Sequence, residues 1–115
     1  MYDDAEMIKT ITDLREIQER EGFLTVWSAW EICTAEGMDR PIPGMDMGPN
    51  TIVFRYFDEN FKDQEVRARL PYDTETWLDI WRACDRLIRS TGDFHIFIEG
   101  FEMLDPRTVL IHCGS

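Results

Sequence analysis

The side chains best suited to chemistry lie near the C-terminus, where His95, Glu99 and His112 fall in two predicted strands. A carboxylate beside an imidazole raises the pKa of the imidazole and selects its tautomer, an arrangement that general acid–base catalysis uses. If Pro106 and Arg107 form a two-residue turn, Glu99 and His112 are diagonal neighbours roughly 7–8 Å apart at Cα. His95, Glu99 and His112 are therefore the candidate catalytic residues.

The same turn assigns the side chains of this hairpin to two faces. It pairs Phe101 with His112 and Met103 with Leu110, and alternate residues of a strand point to opposite faces. One face is predicted to be core: Phe94, Ile96, Ile98, Val109, Ile111 and Cys113. The other mixes apolar and ionisable side chains: His95, Phe97, Glu99, Phe101, Met103, Leu110 and His112.

A mixed face of this kind is typical of a surface that binds a partner or ligand. Phe97, Phe101 and Met103 are therefore predicted binding residues. A dimer interface or a second layer of core is the alternative for the same face. The assignment depends on the register, because a shift of one residue exchanges the two faces.

Neither a metal nor a cofactor is expected. His95, Glu99, His112 and Cys113 are metal-ligand types, but adjacent strand residues such as His112 and Cys113 point to opposite faces. The sequence contains no nucleophile elbow, phosphate-binding loop or dinucleotide fingerprint. The three cysteines have no CxxC spacing, and we expect reduced, inert thiols.

A second candidate binding segment is RPIPGMDMGPN, residues 40–50, with three prolines, two glycines and two methionines. The prolines stiffen the segment, and the methionines offer adaptable contact surface. Pro43, Met45 and Met47 are the predicted binding residues of a semi-rigid recognition loop. The alternative is a surface loop held down by its own methionines.

Apolar periodicity predicts two helices. Residues 4–21 carry apolar side chains at steps of three and four, with Asp3 or Asp4 as the cap. Residues 74–91 carry a longer stripe, with Asp73 as the cap and a charged opposite face that includes Asp85. The two stripes are Met7, Ile8, Ile11, Leu14 and Ile17, and Trp77, Ile80, Trp81, Cys84, Leu87 and Ile88.

Strands are predicted at 51–57, 66–70, 94–104 and 107–113. Residues 23–33 fit either a strand or a helix, and their β-branched and aromatic content favours a strand. The elements sum to a single α+β domain over residues 1–115, in the order α-β-β-β-α-β-β. Short links favour antiparallel pairing, so we expect a two-layer sandwich with a mainly antiparallel five-stranded sheet and both helices on one face.

Charge restricts the classes of partner. The chain has 23 Asp and Glu against 12 Lys and Arg, a net charge of −11. Direct nucleic-acid binding is not expected, because phosphate contacts require a basic footprint. Acidity instead steers a protein towards basic partners. No apolar run is long enough for a membrane span and the N-terminus is acidic, so we expect no membrane association and a cytoplasmic location.

These observations favour a non-enzymatic protein–protein interaction module, of the inhibitor, immunity-protein or phage accessory type. Its expected partner is a protein, either one with a basic surface or a second copy of this chain. The alternative function is a small enzyme or ligand-binding domain that uses the His/Glu surface of the C-terminal hairpin.

Overall fold

A computed structural model describes residues 4–114. The elements follow one another as α1 (Asp4–Glu21), β1 (Val26–Trp27), two 3-10 helices (Ala35–Gly37 and Met45–Met47), β2 (Thr51–Phe57), β3 (Asp63–Arg69), α2 (Trp77–Thr91), β4 (Phe97–Asp105) and β5 (Thr108–Gly114). The α+β class is confirmed, and the order differs from the prediction by the two 3-10 helices. Within the described part of the chain, neither helix has the length and apolar character needed to cross a membrane.

The five-stranded sheet is mixed, so the prediction of a mainly antiparallel sheet is wrong. Its strand order is β1-β4-β5-β2-β3. The hairpins β2/β3 and β4/β5 are antiparallel, but β5 runs parallel to β2, and β1 runs parallel to β4. Parallel neighbours require a long crossover, which α2 provides between the two hairpins. Sequence periodicity identifies the hairpins but not the edges along which they join.

Side chains from both helices and the sheet form one buried cluster. Trp81 and Ile88 of α2 and Ile52 and Ile98 of the sheet are 0% exposed, and Trp27 is 1% exposed. The predicted apolar stripe of α2 is confirmed, since its residues are buried or packed against this cluster. The stripe of α1 is buried only at Leu14, and its N-terminal half is exposed: Met7, Ile8 and Ile11.

The start of α2 is explained by its cap, which differs from the predicted one. Helix α1 begins at Asp4, as predicted, and Asp3 lies outside the described residues. Helix α2 begins at Trp77, with Thr76 and not Asp73 as its N-cap. The backbone N–H of Asp79 donates to Thr76 Oγ1 at 3.2 Å, and Asp79 Oδ2 accepts from the Thr76 N–H at 3.1 Å. This capping box satisfies two orphan donors reciprocally, which Asp73 could not do.

Only Val26–Trp27 of the predicted strand at 23–33 is a strand. The N–H of Val26 donates to the Ile96 carbonyl at 2.7 Å, which docks β1 beside the start of β4. The chain then turns, because the N–H groups of Ile32 and Cys33 both donate to the Ala29 carbonyl at 3.0 Å. The Trp27 indole N–H donates to the Cys33 carbonyl at 2.9 Å and closes the turn over the core.

The register of the C-terminal hairpin differs from the predicted one. The turn at 106–107 is present, with Asp105 opposite Thr108, but irregularities at Met103/Asp105 and Ile98/Gly100 each shift the pairing. A bulge inserts one unpaired residue and so exchanges the faces beyond it. The predicted pairs Phe101–His112 and Met103–Leu110 are therefore wrong. The observed pairs are Phe101–Ile111, Met103–Val109, Glu102–Leu110 and Gly100–His112.

Asp85 is a buried carboxylate, although the sequence placed it on the charged face of α2. It is 5% exposed, and its Oδ1 accepts from the N–H and the hydroxyl of Thr25 at 2.8 and 2.6 Å. The Trp81 indole donates to the same hydroxyl at 3.0 Å, and Arg89 Nε lies 3.0 Å from Asp85 Oδ2. A buried charge is tolerated only when it is paired and hydrogen-bonded, and these contacts meet that requirement.

Asp85→Asn is expected to lower the free energy of unfolding by about 1–3 kcal/mol, because an amide leaves part of this buried network unsatisfied. The measurement is urea unfolding followed by tryptophan fluorescence. Asp13→Asn is the matched control, since Asp13 is paired with Lys9 on the exposed side of α1, and its midpoint is expected to stay unchanged. Equal midpoint shifts in the two variants would contradict the role given to Asp85.

Candidate functional site

The three predicted catalytic residues have different contacts in the structure. His112 is exposed, and its Nε2 lies 3.4 Å from Oε1 of Glu102, so Glu102 and not Glu99 is the carboxylate beside it. Glu99 occupies the bulge between Ile98 and Gly100 and contributes to the electrostatic environment of Cys113. The predicted Glu99–His112 diagonal depended on the regular register, which the bulges remove.

His95 has a different partner, which sequence reasoning missed. Its Nδ1 lies 2.6 Å from Oδ2 of Asp93, whose side chain is only 4% exposed. The His95 backbone N–H donates to the same oxygen at 3.1 Å. The signal in the sequence is the Asp-x-His spacing, because an Asp side chain commonly accepts from the backbone two residues on. This contact leaves Nε2 as the ring nitrogen with no partner among residues 4–114.

A cleft of about 640 Å³ brings His95 and Cys113 together. It lies beside the C-terminal ends of β2 and β5, whose parallel pairing stops at Val53–Leu110. The carboxyl ends of parallel strands are where open α/β sheets usually bind ligands. The remaining lining residues are Phe54, Arg55, Tyr56, Phe57, Asp63, Gln64 and Glu65.

The thiol of Cys113 does not suit nucleophilic catalysis. Its pKa is raised to about 12, first by burial and then by the negative charges of Asp93 and Glu99. The thiolate is the reactive species, so a raised pKa suppresses reactivity at neutral pH. Across 4–114 no cluster of three or more His, Cys, Asp or Glu side chains is arranged to hold a metal ion. The cleft thus offers a histidine oriented by Asp93 but no activated nucleophile.

Cys113 is expected to react slowly with a disulfide reagent, because a pKa of about 12 leaves roughly one thiolate in ten thousand at pH 8. Labelling of the native protein should be at least about 100-fold slower than labelling in urea, and should accelerate with pH. Cys113→Ser identifies the contribution of this thiol. Rapid labelling at pH 8 that is lost in Cys113→Ser would restore Cys113 as a candidate nucleophile.

The predicted binding residues of the hairpin and the loop fall into different environments. The ring of Phe101 packs against the core, 5.8 Å from Trp27 and 6.1 Å from Trp77 between centroids. Phe97 is half-buried, whereas Met103 is exposed. In the loop, Met45 packs against the core, and the exposed residues are Met47 and Pro43.

Three phenylalanines are exposed, and we call Phe57, Phe61 and Phe94 together the aromatic end. They are 61%, 87% and 76% exposed, respectively. Phe57 is the last residue of β2, and Phe61 lies in the turn that follows it. Phe57 and Phe94 line one groove of about 430 Å³, together with Asp58, Glu59 and Asp93 among others. The prediction that Phe94 belongs to the core is wrong, because the chain reaches β4 only at Phe97.

Hydrogen bonds to Asp58 hold the turn that carries Phe61. Asp58 Oδ1 accepts from the N–H groups of Asn60 and Lys62 at 2.8 and 3.0 Å, and Oδ2 accepts from Gln64 Nε2 at 2.9 Å. These bonds lower the pKa of the Asp58 carboxyl, and the bond from the Lys62 N–H has the largest effect. The Phe61 N–H donates to the Asp58 carbonyl at 2.9 Å. The turn is therefore organised before any partner binds.

Phe61 has a φ of 59°, the one left-handed non-glycine residue among 4–114. Bulky side chains rarely adopt this conformation, which costs about 1–3 kcal/mol and concentrates at functional positions. A strained and almost fully exposed aromatic residue gains nothing from core packing. Sequence reasoning missed it because residues 58–65 read only as a polar link.

Phe61→Gly is expected to raise the free energy of unfolding by about 1 kcal/mol, because glycine adopts a positive φ without the Cβ penalty. Phe57→Ala is the matched control, since Phe57 is exposed but lies in regular strand geometry. Thermal and urea unfolding of both variants provide the comparison. A less stable Phe61→Gly protein would show that the Phe61 ring supports the fold.

Comparisons with protein-family models, curated proteins and solved structures found no match to this chain.

Proposed function

We propose that this chain is a non-enzymatic protein-binding module and that its aromatic end engages a basic surface of another protein. The observation that carries the proposal is Phe61, exposed and held in a left-handed conformation by the hydrogen-bonded turn at Asp58. Strained backbone conformations cluster at functional sites, and the exposed Phe61 ring gains no core packing in return, which supports a functional role for it.

Aromatic side chains suit this role on energetic grounds. Phenylalanine has few rotatable bonds, so fixing it at an interface costs little entropy, and a turn that is already ordered lowers the cost further. Aromatic residues are enriched at interfaces, where a few buried anchors supply most of the binding energy. Phe57 and Phe94 line one groove, and Phe61 lies in the turn that directly follows Phe57, so we expect a single partner to cover all three.

Charge supports a basic partner. The chain carries −11 overall, and Asp58, Glu59 and Asp93 line the groove between Phe57 and Phe94. A lysine or arginine side chain of the partner can lie over a phenyl face while its charge meets these carboxylates. Long-range attraction between opposite charges also accelerates association at low salt. Nucleic-acid-binding proteins are one class of partner with this character, which supports the inhibitor type of module.

The test replaces Phe61 by a photo-crosslinking phenylalanine analogue and exposes lysate of the host to light. The same analogue at Met103, which is exposed on β4, is the matched control. We expect position 61, and not position 103, to cross-link to a basic protein. That protein is then purified and titrated with the unmodified chain and its variants.

In that titration, Phe61→Ala is expected to weaken binding by at least about 30-fold, the effect of losing one interface anchor. Met103→Ala should leave the affinity unchanged, and the association rate should fall as salt increases. Cross-linking confined to position 103, or equal affinities for the Phe61→Ala and unmodified proteins, would refute the proposal.

A further inference from the structure

The proline- and methionine-rich segment 40–50 forms one wall of a second cleft, with a volume of about 720 Å³. Two backbone hydrogen bonds attach this part of the chain to the start of α2. The Ile42 N–H donates to the Glu75 carbonyl, and the Leu78 N–H donates to the carbonyl of Met38, just before the segment, both at 2.8 Å. Gly44, with a φ of 73°, begins the 3-10 helix Met45–Met47. The wall is therefore fixed, and the volume lies in the range of small-molecule sites.

Two arginines line this cleft in a protein of net charge −11. Arg69 ends β3, and Arg107 lies in the turn before β5. Neither guanidinium forms an ion pair or hydrogen bond with residues 4–114, whereas Arg55 on β2 and Arg67 on β3 both bond to Glu65. Two unpaired guanidinium groups are a ready binding site for an oxyanion.

The backbone brings these two arginines to the same end of three adjacent strands. The Asn50 N–H donates to the Arg107 carbonyl at 2.8 Å, and the Leu70 N–H, next to Arg69, donates to the Asn50 carbonyl at 2.7 Å. With β2 between them, their Cα atoms lie roughly 10 Å apart, two strand spacings. Arginine side chains span that gap, so both guanidinium groups can reach one anion between them.

Two further polar residues, Asn50 and Thr74, line the same cleft. The hydroxyl of Thr51 donates to Asn50 Oδ1 at 2.9 Å, which leaves the Asn50 amide N–H groups without a partner among 4–114. Thr74 Oγ1 is the buried side-chain polar atom of the described residues that lacks a hydrogen-bond partner. A buried hydroxyl without a partner is uncommon and marks a position where a missing group is expected. Asp46 and Glu75 also line the cleft, and their carboxylates repel an anion placed beside them.

The rest of the lining is apolar or aromatic. Ile42, Met45 and Leu70 supply aliphatic surface, and the ring of Tyr72 is fully exposed beside them. An exposed tyrosine ring offers a flat surface for stacking. The ligand that matches both halves of the cleft combines an oxyanion with a flat ring.

We infer that this cleft binds a small organic anion, whose phosphate or carboxylate head is held by Arg69 and Arg107 and whose ring packs on Tyr72. None of these residues belongs to the aromatic end, so the inference is independent of the proposed function. The carboxylates of Asp46 and Glu75 in the lining disfavour a polyanion such as a nucleic-acid strand.

The test titrates the full chain with phenyl phosphate, benzoate and inorganic phosphate by calorimetry. We expect a ring-bearing probe to bind with a Kd below about 1 mM and inorganic phosphate to bind more weakly. Phenyl phosphate and benzoate share a ring, so the tighter of the two identifies the head group. Failure of both ring-bearing probes to bind at about 10 mM would overturn the inference.

Variants assign the contacts. Arg69→Ala and Arg107→Ala are each expected to weaken binding of the ring-bearing probe by at least about tenfold, because each removes charge-assisted hydrogen bonds. Arg86→Ala, an exposed arginine of α2 that forms no ion pair within 4–114, removes the same charge elsewhere and should change binding by less than about twofold. Tyr72→Ala should lower the affinity of the ring-bearing probe to that of inorganic phosphate. If Arg86→Ala lowers the affinity for the probe as much as Arg107→Ala does, the effect comes from net charge alone, and the proposed site is refuted.

Discussion

The contact between Asp85 and Thr25 is the constraint on which the rest of the structure depends. The carboxylate accepts both the N–H and the hydroxyl of Thr25, so it fixes the segment before β1 against α2. Strand β1 has only two residues and could not hold its place through its ladder alone. Once Thr25 is fixed, Val26 pairs with β4 and the Trp27 ring enters the core, where it contacts Trp77, Trp81 and Phe101.

This arrangement explains why the sheet is mixed. Helix α2 connects the hairpin β2/β3 to the hairpin β4/β5 along the chain. Its Asp85 also binds Thr25, the residue before β1. Both parallel contacts, β1 with β4 and β2 with β5, therefore depend on the position of one helix. Where the parallel pairing of β2 and β5 ends, the strands separate, and the cleft that holds His95 and Cys113 lies beside that separation.

Local periodicity predicted the elements well, because each helix and hairpin is determined by residues close in sequence. The limits of α1, the stripe of α2 and the limits of β2 follow from this. Three features were beyond its reach for physical reasons. Asp85 looks like a solvated residue because its partner Thr25 is sixty positions away. The edge that joins the hairpins is a tertiary choice, and bulges at Leu104 and Glu99 break the alternation that assigns faces.

Those bulges determine which side chains of the hairpin face the core and which face outward. Without the shift near Leu104, Phe101 would lie on the face of His112, and the core would lose a ring that contacts Trp27 and Trp77. Phe101, which the sequence predicted to be a binding residue, therefore packs against the core. Phe94, which the sequence predicted to be core, is exposed and belongs to the aromatic end. Regular geometry is set by packing, and departures from it, such as the left-handed Phe61, persist only where the surroundings hold them. A residue on the turn at Asp58, such as Phe61, can be exchanged without changing the register of the sheet, and this supports the turn as the proposed recognition element.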